Sequence, residues 1–215
     1  SVDNKAYISM PEKAQIHVLL ITNNASSYLK YALQSSRDIV LELSEPPIIP
    51  DINDYDVIIL SNFDNEKLLT GTMENLEEYV KEGNNLIITV QDNLQEIDFL
   101  GMLPVVINGK VEKTSTSILP YYETNEAKYS IDEDVIDYGS TLKYFTTVAE
   151  NSSVIYAVAA ENPIIVSKKH GQGNVVYYGI FDDEKIGISP FVQNVNLKRA
   201  LQDELAKSIQ MIDGV

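Results

Sequence analysis

Apolar residues in this chain gather in short, nearly unbroken runs. Ile16-His17-Val18-Leu19-Leu20-Ile21 runs into Thr22-Asn23-Asn24, Val57-Ile58-Ile59-Leu60 into Ser61-Asn62, and Leu86-Ile87-Ile88-Thr89-Val90 into Gln91-Asp92-Asn93. Runs that are apolar at successive positions, instead of alternating, suit strands buried on both faces, as in a parallel sheet covered by helices. Helical spacing lies between them. After Ser26 or Ser27, either able to cap, Tyr28, Leu29, Ala32 and Leu33 share one face. Asp38–Leu43 predicts another short strand, and the proline-rich Glu45–Pro50 breaks the chain after it. Thr72 is the expected N-cap of a second helix with Met73, Leu76, Tyr79 and Val80 on one face and Gly83 at its left-handed end. Strands alternating with helices imply parallel crossovers, hence an α/β three-layer sandwich with a mostly parallel, flavodoxin-like sheet.

The texture changes after Gly101. Val105–Ile107, Thr114–Leu119 and Val154–Val158 are short β-rich pieces, expected to form an antiparallel β extension of the same sheet. Pro163–Ser167 and Asn174–Ile180 flank Lys168-Lys169-His170-Gly171-Gln172-Gly173 and predict a hairpin. Ser189-Pro190 is a helix start, followed by Phe191, Val195, Leu201, Leu205, Ile209 and Ile212 along one amphipathic face. Residues 1–14 read as a linker or strand end from a preceding domain and residues 15–212 as one domain, which suggests a piece of a longer protein. No apolar run is long enough to cross a bilayer, so this segment is not expected to insert directly into a membrane.

Composition narrows the function classes. A chain of 215 residues can bury roughly 70% of its unfolded surface, enough for a core without cross-links. The absence of cysteine removes a disulfide framework, a thiolate metal site, an iron–sulfur cluster and a cysteine nucleophile. Sixteen basic against 32 acidic residues give a net charge of −16, which opposes a grip on a nucleic-acid backbone or an anionic membrane face.

The motifs IHVLLITNN, DYDVIILSNF, LEEYVKEGNNLIITV, LPVVI and HGQGNVVYYGIFDDE, in that order, resemble the class I glutamine amidotransferase-like fold. DNKAYISMPEK before them and GNVVYYGIFDDEKIGISP near the end are similar to the amidotransferase-like domain attached to von Willebrand factor A domains in Bat-type (aerotolerance-type) prokaryotic membrane proteins. The resemblance implies a domain of a larger, membrane-tethered protein, leaves open an extracytoplasmic placement, and gives neighbouring domains or another protein as partners. Amidotransferases of this fold carry a cysteine on the turn matching Val90-Gln91-Asp92-Asn93 and a histidine in a segment matching Phe181-Asp182-Asp183-Glu184. Neither is present, so glutamine hydrolysis by a thiolate–imidazole pair is rejected and no cofactor is called for. The trehalose-utilisation (ThuA-like) branch of the fold gives the alternative, a sugar-related enzyme or binder using carboxylates such as Asp92 and Asp182.

The remaining candidates follow strand ends. Asn23, Asn24, Ser61, Asn62, Gln91, Asp92, Asn93, Asp182 and Asp183 should surround the crevice at the carboxyl edge, where open α/β sheets bind ligands. Turn formation explains the same asparagines and aspartates without a ligand. Asp182, Asp183 and Glu184 are weak candidates for a calcium or magnesium site, which would need further oxygen ligands. Asp132-Glu133-Asp134 and Asp137 lack the glycine and terminal glutamate of an EF-hand. His17 is expected as a satisfied interior or sheet-end residue. Gly171 and Gly173 beside His170 are expected to shape a hairpin, not a phosphate cradle, because no helix follows them. Asn24-Ala25-Ser26 and Asn151-Ser152-Ser153 match the short N-glycosylation pattern and add slight support for extracytoplasmic placement.

Overall fold

The computed structural model describes residues 15–24, 26–113, 117–121, 136–137, 142–159 and 161–181. Five parallel strands form one half of the main sheet: β1 (Ile16–Ile21), β2 (Ile39–Ser44), β3 (Val57–Leu60), β4 (Asn85–Thr89) and β11 (Gly173–Tyr178), in the order β2-β1-β3-β4-β11. Antiparallel strands β10 (Asn162–His170), β9 (Ser153–Ala159), β6 (Ser117–Pro120) and β7 (Ile136–Asp137) continue the sheet beyond β11. Helix α1 (Tyr28–Gln34) joins β1 to β2, and α2 (Thr72–Lys81) lies between β3 and β4.

Strand alternation sends the central residues to two separate cores. Leu19, Ile21, Ile58, Leu60, Leu86 and Ile88 pack with Leu76, Tyr79 and Val80 of α2. Val18, Leu20, Val57, Ile59, Ile87 and Val176 pack with Leu33 of α1. Helices on opposite faces of one sheet make the expected α/β three-layer sandwich. Each fully buried aliphatic side chain in these runs stabilises the fold by roughly 1.5–3 kcal/mol relative to exposure.

The helix ends follow local chemistry. Ser27 caps α1, its side chain accepting from the Lys30 backbone N–H. At α2, Gly71 and not Thr72 is the capping residue. It adopts φ +89°, and Thr72 becomes the first helical residue. The left-handed entry requires a glycine more than the first turn requires a hydroxyl.

The extension is not all on one sheet. Residues 105–107 open β5 (Val105–Lys113), which pairs with β8 (Leu142–Ala149) in a separate two-stranded sheet. An apolar segment gives no sign of which ladder it will join, and Val105, Tyr144 and Phe145 are buried here by packing between sheets. The hairpin strands are longer than expected: Lys168, Lys169 and His170 belong to β10, leaving Gly171-Gln172 as the turn. The expected N-terminal linker and C-terminal helix lie outside the described residues.

Candidate functional site

The polar residues after β1, β3 and β4 do meet at the carboxyl edge, where they are largely occupied with one another. The backbone ladder continues past the strands through Ser61 N–H to Ile21 O (3.1 Å), Asn23 N–H to Asn62 O (3.1 Å) and Val90 N–H to Tyr178 O (3.0 Å). Asn62 turns the chain with φ +45°. Asn23 donates to Glu45 Oε1 at 3.0 Å and accepts from the Asp64 N–H at 2.7 Å. Asn24 accepts from the Ser26 N–H at 3.1 Å, a local turn bond.

Gln91 is the most fully engaged of them. Its Oε1 accepts from the Phe63 N–H at 3.1 Å, and its Nε2 donates to the Phe63 carbonyl at 2.9 Å and to Asn93 Oδ1 at 2.6 Å. Only 4% of the residue is exposed. The amide therefore reproduces a backbone pairing across the edge and ties the loop after β3 to the loop after β4. Asp92, beside it, is exposed. Asp182, Asp183 and Glu184 lie outside the described residues, as do Asp132, Glu133 and Asp134. Among the described residues no three His, Asp or Glu side chains stand together as a metal site.

Two hydroxyls at this edge stand out. Ser61 and Thr89 lie one step beyond the Leu60–Ile88 pair on neighbouring strands. By strand alternation they face the α1 side. Both hydroxyl oxygens are buried without a hydrogen-bond partner.

The histidines are at the other end of the sheet. His17 stands at the start of β1, exposed, with its backbone N–H donating to Asp56 Oδ2 at 2.7 Å. The interior half of its expected placement is therefore wrong, because the apolar run begins on either side of it before the sheet is covered. His170 ends β10 beside the start of β11. Strands rise about 3.3 Å per residue, so both rings are a strand length, on the order of 15 Å, from the carboxyl edge. Neither can act as a base there.

His170 instead joins a cluster that the sequence did not announce. Its Nε2 lies 3.0 Å from Glu77 Oε1, and Lys81 Nζ lies 2.7 Å from the same oxygen. Hydrogen bonds from Lys81 and then His170 hold the Glu77 carboxyl below its ordinary range. The cluster fastens the β10–β11 turn to the end of α2, where Gln172 N–H also donates to Lys81 O at 3.1 Å. Gly173 is required by proximity and not by its backbone angle: a Cβ there would stand 2.1 Å from Asn84 O and 2.3 Å from Val80 O. Gly171 adopts a positive φ, +64°, in the turn of the expected hairpin. Spacing could have hinted at the Glu77–Lys81 pair, which is i,i+4 on a helix, but not at its contact with residue 170.

Burial pushes the Tyr79 and Tyr177 phenols well above their ordinary range. Burial, reinforced by a hydrogen bond with Glu42, pushes Tyr55 up to about 12. These tyrosines are structural: the Tyr79 hydroxyl donates to the Tyr55 carbonyl at 2.9 Å.

A concavity opens on the α2 face of the sheet. An open groove of about 530 Å³ runs between α2 and the Pro47–Asn53 segment, with Ile21, Ile49, Ile52, Leu76 and Tyr79 among its apolar lining. Asp51, Glu78 and Glu82 also line it.

Comparison with known proteins agrees with this fold. The chain is similar to a cytoplasmic protein, STM1381, from Salmonella typhimurium LT2, with a TM-score of 0.69 at 14% identity over 92% of this chain and 99% of that one. It is also similar to an exo-β-1,4-mannosidase from Opitutaceae bacterium strain TAV5, with a TM-score of 0.59 at 12% identity over 90% of this chain but 36% of that one. PurLQS from Thermotoga maritima matches with a TM-score of 0.56 at 12% identity, covering 90% of this chain and 99% of that one. At these identities the likeness is one of fold alone. No match was found among curated proteins. A family model matches residues 17–197, from the second residue of β1 to beyond β11, and the chain belongs to that family, described as a domain of unknown function, DUF7408.

Proposed function

We propose that this chain is a non-catalytic, amidotransferase-like interaction or sensing module of a larger, membrane-anchored protein. The observation that carries the reading is Gln91. On the turn where the resemblance would place a nucleophile, Gln91 is buried and spends both ends of its amide on the Phe63 backbone and Asn93. An amide so engaged neither attacks a carbonyl nor moves a proton. Both histidines are a strand length away, so a base for the exposed Asp92 to work with would have to come from elsewhere. The acidic surface and the groove beside α2 are then the features offered to a neighbouring domain or partner.

A thermal-shift titration against calcium, magnesium, sugars, nucleotides and amino acids tests this. A ligand at a hundred times its dissociation constant adds roughly 2.7 kcal/mol, on the order of 5–10 °C for a domain of this size. The module reading expects no such shift. A shift abolished by Asp92→Asn or Asp182→Asn would replace it with the carboxylate-using enzyme or binder.

A further inference from the structure

The groove beside α2 has a topological cause. β2 and β3 flank β1, so their connection must cross β1, and it does so on the face that α2 covers, where Ile49 and Ile52 pack against the core. The crossing is made by a proline-rich segment, Pro46-Pro47 and Pro50, with only the single turn Ile52–Asp54. Proline removes the backbone donors a helix needs. The helical layer on this face therefore has a gap next to α2, and the gap is the groove.

Its chemistry is one-sided. Ile49 and Ile52 are half-buried along it, among polar Asn53, Thr70, Thr72 and Asn75, and Leu69 at the margin is 64% exposed. The carboxylates of Asp51, Glu78 and Glu82 line it, and no lysine, arginine or histidine does. Among the described residues none of these three is in an ion pair. Glu77, one residue away on the same helix, is paired with Lys81 and His170 and faces the hairpin instead.

We propose that this groove docks a basic amphipathic segment of a partner protein, an apolar anchor seated on Ile49, Ile52 and Leu69 with flanking Lys or Arg side chains against Glu78 and Glu82. The exposed parts of Ile49, Ile52 and Leu69 supply a seat for an anchor, and the two glutamates supply register and attraction. The net charge of −16 steers a cationic segment toward the site. The proposal rests on the interaction-module reading and gives it a partner chemistry.

The test is selection of binders from a displayed library of random linear peptides, followed by affinity measurement of the enriched peptides by fluorescence polarisation. Enriched sequences should carry Lys or Arg around an apolar residue. Glu78→Lys with Glu82→Lys should weaken them at least roughly tenfold. Leu69→Ala should weaken them independently of salt. All three positions are exposed, so an unchanged melting temperature verifies the fold. Enrichment of acidic or neutral peptides, peptides indifferent to these substitutions, or no enrichment overturns the groove proposal. The metabolite titration above reads the other hypothesis separately: a metabolite shift lost in Asp92→Asn, with peptide binding still lost in the charge reversals, would sink the non-catalytic reading and leave the groove standing.

Discussion

Replacing Gln91 tests whether its side chain is a structural cross-tie. In Gln91→Ala the Phe63 N–H and C=O lose the partners they hold at 3.1 and 2.9 Å. Phe63 is buried, so water does not simply take over. Each of the two abandoned buried groups costs about 1–3 kcal/mol, which places the loss at roughly 2–6 kcal/mol. That is a large share of the ~5–15 kcal/mol that holds a typical domain. Gln91→Glu separates hydrogen bonding from volume. One carboxylate oxygen can still accept from Phe63 N–H, but the other now faces the Phe63 carbonyl with no proton between them. The new carboxyl's pKa is therefore raised on folding, because only its protonated form can donate. With a raised folded pKa, the protonated form's contribution is complete in acid. It falls as pH rises above the unfolded value of about 4.3, by up to about 1.36 kcal/mol per pH unit. Urea unfolding of wild type and both variants across pH 4 to 8 measures this. If Gln91→Ala stays within about 0.5 kcal/mol of wild type, or the Gln91→Glu difference from wild type does not grow with pH, the cross-tie argument fails.

Three further outcomes follow from the packing and the charges. Gly173→Ala should destabilise by about 3 kcal/mol through overpacking, because its Cβ meets two backbone oxygens. Gly109→Ala, with nothing within 4 Å of the added carbon, should move the urea midpoint little. Thr89→Val removes a buried hydroxyl that has no partner and should raise stability by about 1 kcal/mol; a loss of that size in calorimetry would reveal a bound water or ligand at the Ser61–Thr89 pair. The lowered Glu77 pKa contributes stability that is present above the ordinary carboxylate range and is lost as pH falls through the folded value. Glu77→Gln should flatten that acid limb, and an unchanged acid unfolding profile would remove the cluster from the account.

The parallel half of the sheet was legible because burial on both faces leaves a mark in the sequence. A doubly covered strand accounts for runs as short as Val57–Leu60 and Leu86–Ile88, and each lies within one residue of an observed strand. The antiparallel strands of both sheets were less legible. They are half-exposed, with Val106, Val148, Val154 and Tyr156 open to solvent, and a half-buried strand can serve either of two sheets without a change in composition. Register there is decided by tertiary packing: the bulge between Ile107 and Gly109 and those around Ile165 have no local code.

The site divides along a similar line. That Asn23, Ser61, Asn62, Gln91 and Asn93 would share one edge follows from strand order alone, and they do. Whether their polar atoms face a ligand or each other depends on loop geometry that residue type does not encode, since an amide serves equally as a turn bond, a ligand contact or a cross-tie. Here Asn23 bridges Glu45 and Asp64, and Gln91 bridges both sides of Phe63. The groove shows the converse case. Its cause was visible as the prolines of Glu45–Pro50, but a break in helical pattern reads as a loop until topology shows which face the loop should have covered. A missing helix is informative only relative to the strands on either side of it. The polar edge, conspicuous in the sequence, is occupied with its own bonds except at the Ser61 and Thr89 hydroxyls, while the unfilled layer beside α2 carries unpaired charge and exposed apolar surface together.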